Sequence, residues 1–199
     1  MDADTMESTK EFVLMPGGSV DRWVKAVDLL PGTPAVVRSA TVLTRSNGQT
    51  SVLGLWLPGE GLSPAPAGTA FRWPAGAELV LRIHYLKTWT YDGKAIADRS
   101  TVGLYLSNVP AQEIRTVLNI DRDVQALALT LESGAADKDV KAEAVLPNGS
   151  RVPLIQLLSR PGWTRRYWLT RPVTLPRGTQ INITGDPQSR VSLDVIDRK

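Results

Sequence analysis

The stretch Arg72-Trp-Pro-Ala-Gly-Ala-Glu-Leu-Val-Leu-Arg-Ile-His-Tyr85 decides how the rest of the chain is read. A Trp-Pro-Ala-Gly turn opens it, because Pro fixes φ and Gly accepts positive φ. An eight-residue alternation then runs over Glu78–Tyr85. Leu79, Leu81, Ile83 and Tyr85 face one way, while Val80, Arg82 and His84 face the other. That period of two is the signature of a strand with one buried face.

The same grammar extends outward in both directions. Turn signals recur at Met15-Pro-Gly-Gly18, Leu30-Pro-Gly32, Leu57-Pro-Gly59, Leu146-Pro-Asn-Gly149 and Leu175-Pro-Arg-Gly178. Alternating segments return at Val102, Leu104 and Leu106, over Gln180 to Thr184, and over Val191 to Val195. Residues 109–117 are the best helix candidate, but Pro110 and the β-branched residues make them a connection. Short strands separated by turns predict an all-β protein of the sandwich type. Asn148-Gly-Ser150 fits a glycosylation acceptor, yet Asn-Gly is the commonest hairpin turn and is read as one.

Thr174-Leu-Pro-Arg-Gly-Thr-Gln-Ile-Asn-Ile183 echoes residues 72–81, with a bulky residue, Pro, any residue, Gly and then a strand. Two readings stay open: a turn shared by unrelated strands, or two sandwiches of related build. On the second, the charged stretch Asn119-Ile-Asp-Arg-Asp123 is the boundary, giving domains 1–118 and 119–199. A chain of 199 residues is long enough for either arrangement.

Composition narrows the function classes. The net charge of +3 is spread along the chain without a basic stripe, so a nucleic-acid surface is not expected. Cysteine is absent, which removes disulfides, iron–sulfur clusters and thiolate zinc sites. The longest apolar run, Ala126 to Leu131, is far short of the ~20 residues of a membrane span. The first residues are acidic and polar, unlike a signal peptide.

His84 is the single histidine, and methionine occurs only at positions 1, 6 and 15. Copper and zinc centres ordinarily take three or four protein ligands, so no metal or other cofactor is expected. Phosphate-binding, dinucleotide and nucleophile-elbow motifs are missing too. A Ser-His-Asp triad on His84 with Asp92 or Asp98 is formally open, although no serine stands out as its nucleophile. The plainer reading of His84 is a half-buried strand residue hydrogen-bonded to a neighbour.

Six tryptophans are many for this length. Trp23, Trp56 and Trp73 lie in or beside apolar strand patterns and are read as packing residues. Trp89 and the segment Trp163-Thr-Arg-Arg-Tyr-Trp168 are the candidates for exposure. Trp89, Trp163, Arg165, Arg166, Tyr167 and Trp168 are therefore the candidate partner contacts, since Trp, Tyr and Arg dominate interface hot spots. The competing structural reading of 163–168 is an edge strand with arginines stacked on aromatic rings.

Taken in order, several segments resemble the bacterial branch of the copper type II, ascorbate-dependent monooxygenases, the family of the peptidylglycine hydroxylating and dopamine β-monooxygenases. They are Asp21-Arg-Trp-Val-Lys-Ala-Val27 with Pro31-Gly32 and Ala35-Val-Val37; Leu53-Gly-Leu-Trp-Leu-Pro-Gly59; Pro74 to Tyr85; Asp98-Arg-Ser-Thr-Val-Gly-Leu104; Val140 to Gly149; and Arg171 to Gly178. The resemblance covers most of the chain. It implies two consecutive antiparallel β-sandwiches, jelly-roll-like, each holding one copper in the family.

Carried over by position, the family's ligands are nearly all replaced. The first site's His-His pair falls on Arg38 and Ser39, and its later His on His84. The second site's His-x-His falls on about Glu132 to Gly134, and no Met follows residue 15. Arg45 to Ser51 resembles a shortened family loop. A guanidinium at position 38 stays protonated and cannot donate to copper.

The expected function is thus a non-catalytic sandwich, a scaffolding or extrinsic subunit of a larger assembly at a membrane face. By family analogy its location is periplasmic or otherwise outside the cytoplasm. Two alternatives are an enzyme, either a residual copper monooxygenase or a hydrolase using His84, and a carbohydrate or small-ligand module using Trp89 or Trp163 and Trp168.

Overall fold

In a computed structural model the chain is all-β; the described residues form fourteen strands and one short 3-10 turn. The structure describes residues 1–109, 111–132, 137–160 and 164–198. Two compact units divide the chain, Met1–Gln112 and Glu113–Lys199.

The first unit contains β1 (Glu7–Met15), β2 (Arg22–Leu30), β3 (Val37–Ser46), β4 (Gln49–Trp56), β5 (Thr69–Trp73), β6 (Glu78–Leu86) and β7 (Thr101–Ser107). The 3-10 turn Trp89–Tyr91 lies between β6 and β7. One antiparallel sheet runs β1-β6-β3-β4, and β2 pairs with β5 and β7 in the other. β4 crosses β2 closely: a Cβ at Gly54 would stand 2.5 Å from the Val27 Cβ, so only glycine lets the two backbones meet there.

The alternation on β6 holds except at Val80, which is buried although it shares a face with Arg82 and His84. Leu79, Leu81, Ile83 and Tyr85 are buried, while Arg82 is exposed and His84 half-buried. Burying four such side chains on one face is what fixes the strand's register, because a slip by one residue would turn all four to water.

The second unit contains β8 (Gln112–Val117), β9 (Val124–Glu132), β10 (Asp139–Val145), β11 (Arg151–Leu158), β12 (Arg165–Leu175), β13 (Gln180–Thr184) and β14 (Arg190–Asp197). Its sheets are β11-β10-β13 and β12-β9-β14-β8, again antiparallel. Val124, Leu129, Leu131, Val140, Ala142, Leu175 and Leu193 form the core between them.

The connection expected at 109–117 is corrected. β8 is a strand that pairs with β14 through Arg115, Thr116 and Val117, since its β-branched residues Ile114, Thr116 and Val117 suit an extended backbone. The division between the two compact units falls at Gln112/Glu113, so nearly all of β8 belongs to the second unit.

The echoed motifs fold alike at their turns. Ala77 N donates to Pro74 O and Thr179 N to Pro176 O, both at 3.1–3.2 Å. Gly76 and Gly178 take φ of 77° and 83°, which a β-carbon would strain. Trp73 and Leu175, the residues before each Pro, are both buried. Leu146-Pro-Asn-Gly149 is a hairpin turn, with Leu146 N bonded to Ser150 O.

On the middle strand of the smaller sheet, Glu143 is almost buried and accepts hydrogen bonds from Arg151 and from Asn182 (3.4 Å), with Lys141 at 3.3 Å. The Arg151 hydrogen bond, then that of Asn182, holds its carboxyl below the ordinary 4.5. A carboxylate with a lowered folded pKa binds fewer protons than in the unfolded chain, so its contribution is complete above 4.5 and fades as pH falls through the folded value. Acid titration of unfolding should therefore show a shallower loss below pH 4.5 in Glu143→Gln than in the parent, with the variant less stable at neutral pH. Parallel curves would assign the acid response elsewhere.

Candidate functional site

Residues singled out in the sequence concentrate at two places, the outer face around His84 and a cleft beside Arg165 and Tyr167, while Trp89 stands apart on an exposed turn.

On the sheet β1-β6-β3-β4, His84 stands in register between Thr9 on β1 and Ser39 on β3. Arg38 is the extra residue of a β-bulge, squeezed between the pairs Val37–Tyr85 and Ser39–His84. The positions 38, 39 and 84 thus come together in space. His84 Nε2 lies 2.8 Å from Glu7 Oε1. Along the same face, Arg82 and Arg45 both donate to Glu11, at 2.7 and 2.6 Å. The Arg82 hydrogen bond, the larger cause, lowers the Glu11 pKa despite partial desolvation.

A copper centre, which the resemblance implies, is not matched by this donor set. One imidazole already meets one carboxylate, its cross-strand neighbours are hydroxyls, and two guanidiniums sit along the same face. Among the described residues no cluster of three or more His, Cys, Asp or Glu side chains could hold a metal. Of the second set of carried-over positions, Glu132 ends β9 exposed, and Gly134 lies outside the described residues.

A triad through Asp98 is not assembled. Its carboxylate accepts from Tyr85 Oη (3.0 Å), Ser100 Oγ (2.7 Å) and Thr33 N (2.8 Å). Tyr85 lies on the opposite face of β6 from His84, so Asp98 belongs to the core side. Burial, and then the Asp98 carboxylate, push the Tyr85 phenol well above its usual range. Asp92 bonds the adjacent Gly93 N (3.0 Å).

Of the tryptophans read as packing residues, Trp73 is buried with its Nε1 donating to Ala77 O at 2.8 Å. Trp23 and Trp56 are half-buried. Trp89, in the 3-10 turn, is 85% exposed. The loop carrying it is tied down by Lys87, whose buried ammonium donates to the carbonyls of Asp2 (2.6 Å), Ala3 (2.9 Å) and Lys94 (2.7 Å).

The segment 163–168 does not form one surface. Trp163 lies outside the described residues. β12 begins at Arg165, and strand alternation sends its next residues to opposite faces. Arg165 and Tyr167 pair with Leu131 and Leu129 on the core side, with the Arg165 guanidinium 5.4 Å from the Tyr167 ring centroid. Arg166 and Trp168 pair with Thr130 and Ala128 on the other side, stacked at 5.6 Å. Arg166 is corrected as an exposed contact: its side chain is only 10% accessible and donates to Asp194 at 2.6 Å.

Beside Arg165 a cleft of about 160 Å³ opens at one end of the second sandwich, between β9 and β12 on one sheet and β11 on the other. Leu131 and Ser159 form its buried floor, Leu157 and Tyr167 its half-buried walls. Leu158, Arg160 and Arg165 stand exposed at its mouth. Ser159 Oγ accepts a hydrogen bond from Lys138 N at 3.1 Å.

Strand β1 was missed as a surface in the sequence. It pairs with β6 and ends its sheet. Phe12, Val13, Leu14 and Met15 on it are 38–56% exposed. Their consecutive apolar run is a pattern that ordinarily marks a strand buried on both faces, so the unfulfilled burial is the signal.

No protein-family model matches the chain, and no curated protein matches it. No helix among the described residues is long and apolar enough to cross a membrane.

Proposed function

We propose that this double sandwich is a non-catalytic interaction subunit of a larger assembly, working outside the cytoplasm at a membrane face. The observation that carries the reading is β1. A sheet edge has backbone N–H and C=O groups pointing outward, and native proteins usually blunt such edges. Here the second half of the edge strand, after Lys10 and Glu11, carries the exposed apolar run Phe12-Val-Leu-Met15. An extended apolar segment of a partner protein, adding itself as a further strand, would satisfy both the backbone and these side chains. The charge-laced outer face around His84 and Glu11 supports the same reading, because it offers a rigid polar surface and no metal donor set.

Purification from its native source in mild detergent should yield the chain with a protein partner, and Val13→Lys should remove that partner while the fold persists. A lone monomer under every mild condition would defeat the reading, as would undiminished capture by the variant. The exposure of Trp89 favours one second reading, a carbohydrate-stacking module. Saturable quenching by oligosaccharides that disappears in Trp89→Ala would select it over the scaffold.

A further inference from the structure

Strand β7 ends its sheet in the first unit and, among the described residues, pairs with β2 alone. Its other edge presents a row of backbone N–H and C=O groups, which native proteins ordinarily blunt with charge, proline or a bulge. Thr101-Val-Gly-Leu-Tyr-Leu-Ser107 has none of these. No residue in it is charged, and the bulge of the pair falls on β2, at Lys25. Tyr105 and Leu106 are 49% and 44% exposed, so the edge is apolar as well as open. We propose that this edge binds a second copy of the chain, β7 against β7, antiparallel about a two-fold axis at Leu104.

The strand is its own complement in that register. Directly opposite residues of an antiparallel pair share a face, so the axis must pass where a residue meets its own copy. With Leu104 there, Val102 meets Leu106 and Thr101 meets Ser107, each twice. Apolar side chains face one another and hydroxyl faces hydroxyl, both favourable cross-strand pairs. Gly103 meets Tyr105, and an aromatic ring across from an edge glycine covers backbone that is otherwise wet. The glycine leaves room for it: an added Cβ would stand 3.8 Å from Asp28 and 3.9 Å from the strand's own Tyr105 ring, ordinary contacts. The two Tyr105 rings become diagonal neighbours, a spacing that aromatic side chains bridge. On the other face Val102 and Leu104 lie across from Leu29 and Val27 of β2, so the apolar row continues through the joint. Charge favours a second copy here and not on β1. Joining two β7 edges buries no ion, whereas an axis at Lys10 or Glu11 of β1 would set like charges opposite. An edge of seven residues is about 23 Å long and falls below the ~1,200 Å² of a standard interface. The dimer is accordingly transient, with a Kd on the order of 100 µM.

Sedimentation of the full chain from about 5 µM to about 1 mM should show a monomer–dimer equilibrium. Tyr105→Lys should weaken it by about tenfold or more, because the symmetry counts each lost contact twice. Val13→Lys, on β1, should leave it unchanged. The chain has no cysteine, so a single introduced thiol reports the register without background. Leu104→Cys should be joined to its copy by a short bis-maleimide, whereas Thr101→Cys, about 20 Å from its own copy, should not. The melting temperature of each variant shows whether the first unit is intact, and if Tyr105→Lys fails to fold the two thiols decide. A monomer throughout that range, a folded Tyr105→Lys variant that dimerises as the parent does, or equal cross-linking of both thiols would each overturn the proposal. So would a dimer dissolved by Val13→Lys, which would place the second copy on β1. Failure at β7 leaves the β1 reading standing, since that reading is tested by capture of a different protein.

Discussion

Asp194→Ala should destabilise the second unit by about 3–5 kcal/mol, the largest loss expected from any single polar substitution in the chain. Asp194 is 2% exposed and its carboxylate holds two groups: the Arg166 guanidinium at 2.6 Å and the Thr116 hydroxyl at 2.5 Å. Removing the anion leaves a cation in a place where water reaches only a tenth of its side chain. The lost attraction is therefore compounded by the desolvation of that guanidinium. The pair itself is not worth that amount. Replacing both members together, as Arg166→Met with Asp194→Leu, should restore most of the stability, since a buried ion pair and a well-packed apolar pair are close in free energy. Urea unfolding followed by tryptophan fluorescence checks both statements. A loss under ~1 kcal/mol for Asp194→Ala would place the pair with ordinary exposed salt bridges.

Lys87→Met should cost about 2–4 kcal/mol, for a different reason. No carboxylate is needed to hold this ammonium. Three backbone carbonyls at 2.6–2.9 Å complete its donor set, and the side chain is 2% exposed. Methionine fills the same length but donates nothing, so the carbonyls of Asp2, Ala3 and Lys94 lose a charge-assisted partner. Because those carbonyls belong to the segment before β1 and to the loop bearing Trp89, the loss should be local as well as global. Limited proteolysis should cut the variant near Lys94 well before the parent. A variant as stable and as protected as the parent would show that the cage does not hold the loop.

The two substitutions differ in how far the sequence could have announced them. Lys87 follows directly on the alternating strand, at a position where the pattern demands an inward residue, yet a lysine there looks like the end of the strand. Its acceptors are carbonyls of residues 2 and 3, and carbonyls have no sequence signature. Arg166 and Asp194 lie on strands that both border β9. Nothing local to either residue names β9 as their common neighbour, because strand order is set by which faces can be buried together.

The aromatic segment 163–168 shows the same limit from the other side. Read as a string, it groups arginines with rings into one contact surface. Read as a strand, alternate members diverge: Arg165 and Tyr167 reach the cleft, and Arg166 and Trp168 leave it. The cation–π stacking expected of an edge strand is present in both pairs, at 5.4 and 5.6 Å. The surface built from all of them together is not.

What the sequence determined alone is everything that depends on the period of two and on turn chemistry: the all-β class, the parity of β6 and the Pro-x-Gly corners. These are local, since a residue's face follows from its neighbours' faces and a turn from its own φ angles. Tertiary structure alone decided which strand ends a sheet, which ion pair is buried and where a cleft opens. Those depend on contacts between residues far apart in the chain, whose free energy exists only once the intervening strands have packed.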